Sequence, residues 1–129
     1  MKMVINEIKC ENNTIVAEGI TAIGIIKGIW KDKTIPTLGN TYSVELNIKE
    51  LYKNNVSILS NKVDQSKVYV KDKMVFFIGW CEDVDDVYFI RFTDDWIEMI
   101  EFDDKDIDIK KGDCILFYQR YDSISIYPY

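Results

Sequence analysis

Histidine is missing altogether from this chain of 129 residues. That absence removes His-containing zinc sites, the usual base for a cysteine nucleophile and the common acid–base triads. Cysteine is scarce. Cys10, Cys81 and Cys114 are odd in number and widely spaced, which is not a disulfide framework. Each lies in or beside an apolar strand-like run, where free Cys behaves as a small hydrophobe, so buried, reduced thiols in a reducing cytoplasm are expected. No apolar run reaches the roughly 18 residues that a spanning helix needs. The opening MKMVINEIKCENN has no continuous apolar core or small-residue cleavage site, so a signal peptide is not expected. Basic residues are also short, 16 against 22 acidic, and scattered apart from pairs such as Lys110–Lys111. A net charge of −6 repels phosphate backbones, which argues against nucleic-acid partners. No membrane partner and no cofactor are expected. With no catalytic motif in the chain, neither is an enzyme.

What is present is strand-forming. A hydrophobic content of 47% in one stretch of 129 residues fits a single folded domain, 1–129, rather than a disordered chain. The organising segment is 73–102, KMVFFIGWCEDVDDVYFIRFTDDWIEMIEF. Its runs 73–82, 87–93 and 96–102 are rich in Val, Ile, Phe, Tyr and Trp, which suit a pleated, half-buried surface. Asp83–Asp86 and Asp94–Asp95 break them, since Asp favours turns. A three-stranded meander is expected.

Upstream, 3–10 and 14–27 read as a hairpin turning at Glu11-Asn12-Asn13. Gly19, Gly24 and Gly28 lie in its long second arm, as kinks of a strand curling into a barrel; two short strands divided at Gly19 are the alternative. Residues 30–41 are irregular, broken by Pro36 and Gly39-Asn40. Next, Tyr42, Val44, Leu46 and Ile48 alternate with Ser43, Glu45 and Asn47, a strand with one face in the core. Asn47 and Glu50 resemble a capping box for a helical turn near 48–53, with continued strand as the competitor. A short strand at 56–60, a turn at Lys110–Asp113, and a last hairpin of CILFYQ and SISIY around RYD complete the chain. The sum is an all-β, mainly antiparallel domain: a small, partly open barrel of the oligonucleotide-fold or SH3-like type, with at most one short helix.

Charge is distributed unevenly. Between Glu82 and Asp108 there are 12 acidic and two basic residues, a net −10; the other 102 residues hold 14 basic and 10 acidic, a net +4. A meander folds these charges into two poles. Asp103, Asp104 and Asp106 should gather near Asp83, Asp85 and Asp86, with Asp94–Asp95 at the far end. Asp104-x-Asp106-x-Asp108 imitates the start of a calcium loop, but Ile109 and Ile115 stand where Gly and Glu are required, and no metal is expected. Paired carboxylates in hydrophilic turns should stay ionised, which does not suit glycosidase chemistry.

Clustering like charge costs stability through self-repulsion, so the acidic pole points to a basic partner. Trp30, with Ile35 and Leu38 in its loop, is a candidate contact patch; the alternative is that the loop folds back and plugs the barrel end. In whole-chain profile (small, acidic, single-domain, without catalytic residues) the sequence resembles bacterial toxin-neutralising immunity proteins. That resemblance rests on no motif and carries over no residue. It implies a cytoplasmic inhibitor that occupies the substrate surface of a cationic toxin domain, such as a nuclease. The other expectations are a small-molecule carrier with its pocket inside the barrel and an enzyme without a recognisable motif.

Overall fold

The computed structural model describes residues 1–60, 64–102 and 107–129. Eleven strands run through them: β1 (Lys2–Glu11), β2 (Thr14–Thr21), β3 (Gly24–Trp30), β4 (Thr41–Ile48), β5 (Val56–Ile58), β6 (Lys67–Lys71), β7 (Met74–Val84), β8 (Tyr88–Thr93), β9 (Trp96–Ile100), β10 (Cys114–Arg120) and β11 (Ile124–Pro128). No α-helix is found among the described residues; single 3-10 turns occur at Lys53–Asn55 and Tyr121–Ser123.

Five strands close a barrel. β1 pairs antiparallel with β2 and β4, β2 with β3, and β4 with β11. A short parallel seam, Ser125↔Ile29 and Ile126↔Trp30, joins β11 to β3 and completes the ring. The all-β barrel expected from the strand pattern is therefore what the chain forms. Gly19 and Gly28 serve it by close approach: a Cβ on Gly19 would meet the Met3 side chain, and one on Gly28 the carbonyl of Ile124. Met3, Ile5, Ile26 and Ile126, each no more than 1% exposed, fill the interior.

The remaining strands make a second unit around β7. β10 covers one edge of β7, and β5 lies beyond β10. Along the other edge lie β6, opposite Met74–Ile78, and then β8, opposite Trp80–Val84. β9 pairs with β8, so the expected meander is β7–β8–β9. Its core is aromatic. Phe77 stacks on Phe117 at 4.9 Å between centroids, with Phe92 and Trp96 packed around the pair. The two units meet at the parallel pair Gly24↔Val68 and, just past β4 and β9, at the parallel bridge Leu51↔Phe102.

Several boundaries differ from the expectation. The long second arm divides into β2 and β3, and it divides at Ala22-Ile23 rather than at Gly19. Cys10 is exposed near the end of β1, whereas Cys81 and Cys114 are buried. The helical turn sits at Lys53–Asn55, where the Asn55 side chain accepts from the Tyr52 amide. That is at the end of the expected 48–53 rather than across it, and Asn47 and Ile48 are still in β4. The last two strands do not form a hairpin. β10 belongs to the second unit and β11 to the barrel, because each finds a longer partner elsewhere. Tyr121 fastens the crossing between them. Its amide donates to the carbonyl of Lys73, its hydroxyl donates to Glu11 at 2.5 Å, and Lys27 stands 4.3 Å above its ring. The Glu11 carboxylate holds the Tyr121 phenol above its ordinary pKa.

Candidate functional site

Two acidic features occupy the meander. The first is the β7–β8 hairpin. Asp85 and Asp86 are exposed beyond its last pair, Val84↔Tyr88. Asp83 is exposed too, but it lies inside β7 opposite Phe89 and not in the turn. A bulge between Cys81 and Asp83 lets the ladder run on, so pairing with β8 overrides the turn preference of Asp. The candidates Asp103, Asp104 and Asp106 lie outside the described residues. Phe102 packs edge-on against Tyr88 at 5.0 Å, and the Tyr88 hydroxyl donates to the carbonyl of Ile107. Asp94 and Asp95 turn the chain at the opposite end, where Thr93 pairs with Trp96.

Arg91 is committed to holding this hairpin. It forms a forked pair with Glu82 (3.2 and 3.0 Å) and donates to the carbonyls of Thr93 and Asp94. Both partners of the pair are partly solvated, so the four bonds together contribute about 1 kcal/mol. Arg91→Ala should lower the urea midpoint by a corresponding amount without changing the slope; an unchanged midpoint would show the fork to be idle.

The second feature is not among the sequence-based expectations. A cleft of about 480 Å³ lies between β4 and β9, walled by Val44–Ile48 on one side and Asp95–Met99 on the other, with Met1 and Tyr129 also lining it. Glu98 is in its wall and only 8% exposed. Burial pushes its carboxyl up to about 7, against the indole of Trp96, which donates to it at 2.9 Å; the charge of Glu45 adds to the rise. The sequence does carry a signal for this burial: Trp96, Glu98 and Ile100 alternate with Ile97 and Met99, which puts Glu98 on the buried face. Glu98 is therefore partly protonated near neutral pH, unlike the fully ionised state expected of the turn carboxylates.

No family model matches the chain, and neither does any curated protein or solved structure. The function must be read from the geometry.

Trp30 is not a surface contact. It is 5% exposed, donates from its indole to the carbonyl of Thr34, and packs edge-on against Tyr42 at 5.1 Å. Its loop folds back over the barrel end, tied by Gly39 N–H to Ile5 O and Ile5 N–H to Asn40 O. Ile35 and Leu38, each 61% exposed, are what is left of that patch at the surface. The thiol of Cys81 is pushed up by burial and donates to the carbonyl of Asp83, so it is a packing group. Open clefts with room for a small ligand are lined partly by barrel strands, β4 at the one beside Glu98 and β1 and β2 at another.

Proposed function

We propose that this chain is a protein-binding module whose acidic hairpin docks on a basic partner. The reading is of the immunity or inhibitor kind, acting in a bacterial cytoplasm and blocking a cationic toxin domain such as a nuclease. One observation carries it. Asp83, Asp85 and Asp86 stand exposed at one hairpin, and none of them is in an ion pair among the described residues, while the neighbouring Arg91 is held by Glu82. Such a concentration of like charge is a cost to the free protein that a basic partner relieves.

The test is capture from the source organism's lysate at low salt and again at about 0.5 M, where the screening length falls to a few ångströms. Recovery of one basic protein, weakened by salt, is the expected outcome. Recovery of nothing under either condition, or of a partner indifferent to salt, would remove the hairpin from the account.

A further inference from the structure

We infer that the cleft between β4 and β9 is a slot for one extended strand, and that its occupant is a lysine- or arginine-bearing segment of a partner protein. The argument begins with the backbone of β4. β1 accompanies only its first part, from Val4↔Thr41 to Lys2↔Ser43, and the last bond on that side runs from Val44 N–H to Met1 O. β11 covers the other edge from Ile124↔Ile48 to Pro128↔Val44. There Ser43 O accepts from Tyr129 N–H, and Lys49 N–H donates to Ser123 O, so the odd-numbered residues turn their polar groups toward β11. Backbone groups alternate along a strand. Those of Leu46 and Ile48 therefore point away from β11 and into the cleft, where no described strand pairs with them.

β9 presents the facing edge. Its one ladder partner among the described strands is β8. Leu51 N–H donates to Glu101 O, which marks the edge turned toward β4. By the same alternation, the N–H and C=O groups of Ile97 and Met99 lie on that edge. Leu51 and Phe102 form a parallel bridge, so β4 and β9 approach it in the same direction. Counting back equally from both bridge residues brings Val44–Ile48 opposite Asp95–Met99, the two walls of the cleft. The strands thus part from a closed end and leave two edges that are unpaired among the described residues, with space between them.

That space suits a polypeptide. Five residues of strand are roughly 17 Å long, and about 480 Å³ along that length holds an extended backbone with modest side chains. Unpaired edges are templates for strand addition, the mode in which main-chain bonds give affinity and alternate side chains give specificity. Charge selects the occupant. The walls carry the carboxylates of Glu45 and Asp95 and no lysine or arginine, the Met1 ammonium being the positive group among the lining residues. A basic side chain entering beside Glu98 would favour the ionised form of that carboxyl as well. Exposed Met99 and Tyr129 offer apolar surface to the stem of a long basic side chain. The sign of the occupant's charge agrees with the proposed function; the strand pairing itself is independent of the hairpin.

The free peptide acetyl-Lys-Val-Lys-Val-Lys-Val-amide is the probe, and amide hydrogen exchange the readout. In the protein alone, the amides of Leu46, Ile48, Ile97 and Met99 should exchange rapidly. Millimolar peptide should slow all four at least tenfold, and the Asp83→Asn, Asp85→Asn, Asp86→Asn variant should show the same protection. The same peptide N-methylated at alternate residues should give none. Three results would overturn the slot: four amides already protected in the free protein, no protection with peptide, or equal protection with the N-methylated peptide. Equal protection by the Glu-Val counterpart would overturn the basic occupant. Failure of the hairpin reading changes none of these outcomes.

Discussion

Replacing Glu98 with Gln should stabilise the protein at pH 8.5 by about 3 kcal/mol, with a difference below about 1 kcal/mol at pH 5. Burial raises the Glu98 carboxyl from its ordinary 4.5 to about 7. Below the lower value it is neutral in both states, and no cost arises. Between the two values the unfolded chain gives up a proton that the folded protein keeps, so stability falls as pH rises. Above about 7 the whole cost of burying the charge is in place. Gln keeps an oxygen for the Trp96 indole and never ionises. Thermal melts at the two pH values provide the check, with a shift of roughly 10 °C expected at the higher one. Equal effects at both would mean that Glu98 is hydrated in the folded state.

The second large effect belongs to Gly24. Its φ of +140° is a conformation that side chains rarely adopt, and a Cβ there would stand 1.9 Å from the carbonyl oxygen of Val68. Gly24↔Val68 is the one ladder pair between β3 and β6, one of the places where the barrel joins the second unit. Gly24→Ala should therefore cost about 4 kcal/mol, since backbone must yield on both sides. Gly39→Ala is the control. Its φ is also positive, +84°, but nothing lies within 4 Å of the added carbon, so about 1 kcal/mol is expected. Denaturant midpoints of the two variants separate strain from collision. Similar losses at both positions would remove the β3–β6 contact as a determinant of stability.

Local pattern makes the meander, the β1–β2 turn and the inward face of β4 legible in the amino-acid sequence itself. Periodicity of two and Asp or Asn punctuation act within a few residues, where the sequence speaks plainly. The pairing of β10 and β11 is not legible there. Neighbours in sequence usually pair, yet the turn at Tyr121–Ser123 sends each strand to a different unit, and only their distant partners decide that. The same limit applies to Trp30, whose burial depends on where its loop closes, and to Asp83, which the bulged ladder draws into β7. For Glu98 the alternation is visible in the sequence, but its cleft is not. β4 and β9 are separated by about 50 residues of chain, and their divergence from the Leu51–Phe102 bridge is a property of the assembled sheet.

Docking of the acidic hairpin is tested most directly by association kinetics with the captured basic protein. Stopped-flow traces would compare the parent with the Asp83→Asn, Asp85→Asn, Asp86→Asn variant at low salt and at about 0.5 M. Loss of three negative charges should slow association about tenfold or more at low salt, and the gap should close as salt rises. Equal association rates at low salt would contradict the hairpin's role.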